Sequence, residues 1–306
     1  MLQNLRAFFA ARDVLEVETP LMSRAAITDP HLLSFRTGFN GEDLYLQTSP
    51  EFFMKRMLAA HGRDIYQICK VFRDDELGRY HSPEFSMLEW YRIGFDDRRL
   101  MDETEQLLQQ LFAELAPQKA LQASRHISYR QAFIDALGID PLQTDVARLR
   151  TVMENRRLEI PRGMDDEDLD MWLDWLLSRY VISTFPIDAI TFLYDYPASQ
   201  AALARINEED PRLAHRFEVF VGPLELANGF YELGDAPQQA ARFAAENQRR
   251  RKLGVAEMPV DELLLQALAS GLPDCAGIAL GLDRLLMLLT NAGSLAAVMS
   301  FDFSRV

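Results

Sequence analysis

The chain has 306 residues, 48% hydrophobic and 25% charged, with a formal net charge of -14. These are globular proportions with room for one large domain or two; they exclude a disordered chain, and the acidic balance argues against a broad nucleic-acid footprint. No apolar run approaches the roughly 20 residues of a membrane helix, and Arg6, Arg12 and Asp13 interrupt the N-terminus too early for a signal peptide, so a cytoplasmic protein with no membrane partner is expected.

Residues 2 to 12 place Leu2, Leu5, Phe8 and Phe9 at helical spacing. Val14 to Pro20 reads as an alternating strand stopped by proline, with Leu15 and Val17 on one face and Glu16 and Glu18 on the other. Leu44 to Leu46 predicts a further short strand. Thr48-Ser49-Pro50-Glu51 opens a helix through Ala60, closed near Gly62, and Thr48 with Glu51 fits a capping box. A strand-to-helix junction of this kind also sits at the rim of a sheet, where ligand groups collect.

The next stretch organises the rest. An apolar run through Ile65, Tyr66, Ile68, Val71 and Phe72 ends at Arg73, a charged loop follows, and the chain resumes after Pro83 as a second strand. Strand alternation in that second arm puts Phe85, Met87, Glu89 and Tyr91 on one side and Glu84, Ser86, Leu88 and Trp90 on the other. A carboxylate and a phenol two residues apart on one face suit an ammonium group. Arg73, Arg79 and His81 gather cationic donors around the loop, as a polyphosphate requires. The same spacing also fits an ordinary hairpin with a solvated loop.

From Asp96 to about Tyr180 the pattern is helical: Leu100 to Leu115, then a helix capped by Ser128 and running to Leu137, then Asp165 to Tyr180. Trp172 and Trp175 sit on a wide apolar face there and read as core rather than as a base-stacking platform. Strands return at Ile190 to Tyr194 and Arg216 to Val221. Glu225 and Glu232 stand seven apart, an odd interval that a turn or bulge at Asn228-Gly229 would reset, bringing both carboxylates together to bind magnesium; the same spacing equally fits two unrelated surface acids on a hairpin. Pro237 to Lys252 is a charged helix ending in a basic run that reads as a solvated terminus. Finally Gly277 to Gly281 is a glycine-flanked strand leading into an apolar helix, with Arg284 in its first turn, where a cation opposes the helix dipole unless an anion holds it. Cys69 and Cys275 have neither metal-ligand nor disulfide spacing and read as free thiols. The chain is expected to form a single domain over 1–306 with a helical insertion at about 96–185.

Three segments, ARDVLEVETPLM, FRDDELGRYHSPEF followed by MLEWY, and GIALGLDR, resemble in this order the signature motifs of class II aminoacyl-tRNA synthetases. The wording is closest to lysyl-tRNA synthetase, yet the first motif begins within about the first 20 residues, leaving no place for an anticodon-binding domain. A short, acidic, lysyl-type core is similar to the elongation factor P lysyltransferase family, which attaches (R)-β-lysine to a lysine side chain of elongation factor P.

That resemblance implies an α+β fold, a mostly antiparallel sheet flanked by helices, and a homodimer formed through the motif ending at Pro20. It implies ATP as co-substrate and Mg2+ as its ion. Arg73 is expected to hold the α-phosphate; Phe85 to stack on adenine under Arg284, which also reaches the γ-phosphate; Asp74, Asp75, Ser82, Leu226 and Gly281 to line the nucleotide site; and Glu225 with Glu232 to hold magnesium. Ser49, Pro50, Glu51, Glu89, Tyr91, Glu232 and Ala279 are expected to surround lysine or (R)-β-lysine. Asp74 and Asp75 depart from the Arg-Asn-Glu usual after this arginine, with Glu76 next door as a substitute, and Ser82 replaces a common asparagine. Ala279 replaces a glycine of lysyl-tRNA synthetases; its methyl crowds an α-amino acid and favours a shifted amine, a discrimination of about 1 kcal/mol. The resemblance thus implies an AMP-forming ligase acting on elongation factor P, with tRNA an unlikely partner; the alternatives are a truncated synthetase acylating tRNA and a non-catalytic regulator.

Overall fold

The computed structural model describes residues 1–119 and 121–306. They fall into two compact units, one of Met1–Lys119 with Leu226–Val306 and one of Ala120–Glu225. In chain order the first contains α1 (Leu2–Ala10), β1 (Leu15–Glu16), β2 (Met22–Ser23), β3 (Arg36–Phe39), β4 (Glu42–Leu46), α2 (Glu51–His61), β5 (Ile65–Phe72), β6 (Glu84–Ile93) and α3 (Asp97–Leu115). The second contains β7 (Arg125–Ser128), α4 (Tyr129–Leu137), α5 (Val146–Arg156), α6 (Leu169–Leu176), β8 (Ile190–Pro197) and β9 (Leu213–Val221). The boundary falls inside β10 (Leu224–Tyr231), after which α7 (Ala236–Lys252), α8 (Glu262–Gly271), β11 (Cys275–Gly281) and α9 (Leu282–Thr290) belong to the first unit.

The first unit is built on strands in the order β1-β5-β6-β11-β10, all neighbours antiparallel except β1 with β5. β6 lies between two partners, and both of its faces are covered: Leu88 and Trp90 are 0% exposed, Glu89 and Tyr91 2%. Burial on both faces explains why its sequence carries apolar residues at both parities. On one face Trp90 meets Phe9 of α1, ring centroids 5.5 Å apart, and its indole donates to Glu103 of α3 at 3.1 Å. On the other, Tyr91 packs with Met54 and Leu58 of α2 and with Cys275. Met54 and Leu58 are one helical turn apart, so the stripe that buries α2 also fixes which way Glu51 and Lys55 point. Gly62 ends α2 in the left-handed conformation (φ 58°), which glycine adopts without a steric cost. A small separate sheet orders β2-β4-β3.

The second unit has strands β9-β8-β7, antiparallel and then parallel. Its core joins Phe133, Trp172, Leu173, Leu176, Tyr196 and Phe220, so Trp172 is a core residue as its spacing predicts. Ser128 caps α4 by accepting from the Gln131 amide at 3.2 Å.

Four local expectations change. β1 is only two residues long, with Val14 and Val17 buried and Leu15 43% exposed, so the alternation predicted for Val14 to Pro20 does not hold. No Thr48–Glu51 capping box forms: the N-cap is Pro50, and the Glu51 amide is taken by the Ser49 hydroxyl at 3.3 Å. The helix predicted from Asp165 starts at Leu169, where Asp168 accepts from the Met171 amide, and loosens into a π turn over Leu177–Val181. Arg250 is not part of a solvated terminus; it is 1% exposed and donates to the carbonyls of Ala256 at 2.6 Å and Asp29 at 2.8 Å.

Candidate active site

Because Glu89 and Tyr91 share a face of β6, the Tyr91 hydroxyl reaches the Glu89 carboxylate, donating to Oε1 at 2.7 Å. The register continues that face across the sheet, pairing Glu89 with Ala279 and Tyr91 with Gly277 on β11, and these in turn with Asn228 and Phe230 on β10. Glu232 follows directly, its amide bonded to the Cys275 carbonyl at 3.0 Å. From above, the first turn of α2 contributes Glu51, preceded by Ser49 and Pro50 at the junction.

At the centre of this arrangement lies a residue that sequence reasoning missed. Lys55 is 2% exposed, and its Nζ stands 2.5 Å from Glu51 Oε1 and 2.6 Å from Glu232 Oε2. The i,i+4 spacing of Glu51 and Lys55 on a helix was the available signal; it also describes an ordinary surface pair, and only burial distinguishes the two. Burial alone would lower the Lys55 pKa, but Glu232 and Glu51 outweigh it and the ammonium is held more firmly than usual. Glu89 is the opposite case: burial, then the charge of Glu51, pushes its carboxyl well above the ordinary range. Its Oε2 is buried with no hydrogen-bond partner among the described residues. Burial and then Glu89 raise the Tyr91 phenol, so it remains a donor. Gly277 is needed for close approach: a Cβ there would stand 2.3 Å from the Tyr91 ring and 2.5 Å from Glu232 Oε1.

The arginine loop lies at the other end of β5 and β6. Arg73 is fixed by its amide, which bonds the Pro83 carbonyl at 2.9 Å, and its guanidinium lies 5.1 Å over the Phe85 ring and 3.5 Å from Glu76. Its Nε is buried without an acceptor among the described residues, which suits an incoming anion. Asp74 is tied by its amide to the Leu33 carbonyl at 2.8 Å, and Asp75 adopts a positive φ of 63°. Arg284, in the first turn of α9, donates from Nε to the Tyr80 carbonyl at 3.1 Å and lies 2.8 Å from His81 Nε2. Partial burial and then Arg284 lower the His81 pKa, so its ring accepts as the neutral form. Arg73 lies over the Phe85 ring, and Arg284 is held against the loop through Tyr80 and His81. Gly281 and Leu226 adjoin, a Cβ on the former reaching 3.8 Å from the Leu226 carbonyl. Ser82 is 7% exposed and lines, with Lys70, Phe72, Ser86, Asp283 and Phe301, a cavity of about 600 Å³ that contains none of the carboxylates above.

The β10–β11 ladder runs through Asn228 and Gly229 without interruption, so no turn or bulge there resets the interval between Glu225 and Glu232. Glu232 is instead committed to Lys55. Glu225, half-buried, lies in the electrostatic reach of Glu218, which Arg216 holds at 2.6 Å. As a donor set for magnesium, Glu225 fits, because that ion takes one or two carboxylates and fills its shell from phosphates and water.

The family model for class II tRNA synthetases of the D, K and N type matches residues 1–305. The elongation factor P–(R)-β-lysine ligases of Salmonella gallinarum and Salmonella typhi are each 47% identical over 312 residues, covering 100% of this chain and 93% of their own. That of Vibrio cholerae is 47% identical over 311 residues, covering 94% of its length. Matches of this extent mean that the chain belongs to the class II tRNA synthetases of the D, K and N type and, within them, to the elongation factor P–(R)-β-lysine ligase family.

Proposed function

We propose that this protein is an ATP-dependent ligase that activates (R)-β-lysine as its adenylate and transfers it to a lysine side chain of elongation factor P. The observation that carries the reading is the cluster of buried Glu89 and Glu232 with half-buried Glu51, whose formal charge exceeds that of Lys55 by two, matching a substrate with two ammonium groups. In the first step a substrate carboxylate oxygen attacks the α-phosphorus of ATP, the bond to the β-phosphate bridge breaks and pyrophosphate leaves. In the second, the acceptor amine attacks the acyl carbon, AMP departs and the amine loses a proton. Arg73 supplies the positive charge for the pentacovalent phosphorus, and Phe85 with Arg284 holds the base. Asp74, Asp75 and Ser82 complete the nucleotide site beside Leu226 and Gly281. Glu225 would hold Mg2+, which would neutralise phosphate charge, while Glu232, a candidate for both roles by sequence, serves the amine pocket. Catalysis is then largely positioning and electrostatic stabilisation.

Exposed Leu15, Leu21 and Met22 around the first motif support a homodimer contact, which sedimentation velocity checks directly. The function itself is tested with purified protein, ATP and Mg2+, offering labelled (R)-β-lysine or α-lysine to unmodified elongation factor P and to bulk tRNA. Label on elongation factor P, greater from β-lysine, is expected; label on tRNA alone would make the protein a minimal synthetase, and absence of both label and pyrophosphate exchange would overturn the enzymatic reading.

A further inference from the structure

Within the amine pocket the described carboxylates are not equivalent. Glu51 and Glu232 converge on one ammonium, Lys55 Nζ, at 2.5 and 2.6 Å, whereas Glu89 is bonded only through Oε1, to the Tyr91 hydroxyl, and leaves Oε2 buried and without a partner. Three buried carboxylates with no internal cation would repel one another and take up protons. A single buried ammonium between two of them favours that pair in its ionised form, while Glu89 Oε2, not reached by Lys55, is left as an acceptor of defined position.

Resting on the lysine-type reading above, we propose that Lys55 is a specificity-determining positioning residue: a resident cation that saturates Glu51 and Glu232 and so leaves Glu89 Oε2 to take an ammonium of the substrate. Lys55 touches neither ATP nor the reacting carboxyl in this scheme; it acts through the two carboxylates it holds. With Glu89 ionised, the pocket carries two formal negative charges, so a diamino acid is matched and a mono-ammonium analogue of equal length leaves a buried charge uncompensated. The other groups facing the cluster do not titrate near neutrality: the Tyr91 phenol is raised by burial and Glu89, and the Cys69 thiol on β5 is pushed up to about 12 by burial and Glu89. Gln67, opposite Glu89 on β5, carries no charge.

The test is direct binding of (R)-β-lysine, α-lysine and norleucine to the full chain by calorimetry at pH 6 and pH 8, in wild type, Lys55→Met and the charge-matched double variant Lys55→Met/Glu51→Gln. Wild type is expected to bind the diamino acids with little difference between the two pH values and to reject norleucine. Lys55→Met should weaken diamino-acid binding about tenfold at pH 8 and further at pH 6, because the orphaned pair of carboxylates takes up a proton as pH falls. The double variant removes one cation and one carboxylate together and should restore most of the pH independence. A folded Lys55→Met protein with wild-type affinity at both pH values would overturn the proposal, as would an equal loss at both that the double variant fails to mend. Should Lys55→Met not fold, the double variant decides: folding and pH-independent binding support the charge account, and failure to fold assigns Lys55 a purely structural role. If wild type binds no diamino acid, the functional reading itself fails; if it binds and Lys55→Met is unchanged, only this inference does.

Discussion

The amine pocket and the arginine loop, both in the first unit, are prepared to different degrees. In the pocket every element is locked: β6 is buried on both faces, α2 is held by Met54 and Leu58, and Lys55 already occupies the place of a counter-ion. In the loop the cations rest on partners near the surface, Arg73 on Glu76 at 3.5 Å and Arg284 on the Tyr80 carbonyl and His81, and Asp74, Asp75 and Arg79 are exposed. Buried charges must be neutralised within the fold because desolvation is costly, whereas Arg73 and Arg284 are only half-buried.

The largest effect expected from breaking this contrast is at Arg73. Arg73→Ala should reduce pyrophosphate exchange by about 1000-fold while leaving the thermal midpoint near wild type; substantial exchange in the variant would remove the phosphate role. Next comes Gly277→Ala, where the added Cβ would stand 2.3 Å from the Tyr91 ring and 2.5 Å from Glu232. Overpacking there should cost about 1–3 kcal/mol of stability and raise the KM for the amino acid far more than that for ATP, as steady-state kinetics would register. Equal increases in both would mean that the strip is not a pocket wall.

Glu89 supplies a sharper probe of preorganisation. Its Oε2 is the buried acceptor without a partner among the described residues, so amino-acid affinity, measured by calorimetry, should depend on this one oxygen. Glu89→Gln should weaken amino-acid binding about tenfold or more. Ala279→Gly, which removes one methyl beside Glu89, should shift the ratio of α-lysine to β-lysine activation by only about fivefold.

The smallest effect concerns stability on the loop side. The segment before Leu33 is pinned to α7 by Thr28, which donates to Glu246, and by Arg250, which donates to the Asp29 carbonyl. Burial, then Asp29 after the opposing Thr28 bond, lifts the Glu246 carboxyl from 4.5 to about 7. Its folded pKa is raised, so its contribution is full below the unfolded value of 4.5 and is lost as pH rises through about 7. Melting curves from pH 5 to 8 should show that decline, and Glu246→Gln should flatten it by a few degrees at most.

Much of this was legible locally. The hairpin of β5 and β6, the face shared by Phe85, Met87, Glu89 and Tyr91, and the strand-to-helix passage at Arg284 follow from periodicities of two and 3.6 residues that each segment carries by itself. The motif order carried the family. The two-residue β1 was not legible, because Leu15 and Val17 look alike in sequence and differ only in what covers them. Nor was the fate of Glu51, whose capping-box spacing competes with an ion pair that the burial of α2 makes stronger.

The sequence by itself determined the strands and helices that carry the motifs, the motifs themselves and the residue types able to hold phosphate and amine, since these depend on neighbours along the chain. Only the tertiary structure decided which carboxylates are already spent. Lys55 joins Glu51, one turn away, to Glu232, on the far side of the sequence, with Lys55 and Glu232 themselves buried. That outcome rests on desolvation, a property of what surrounds a charge in space rather than of what precedes it in the chain.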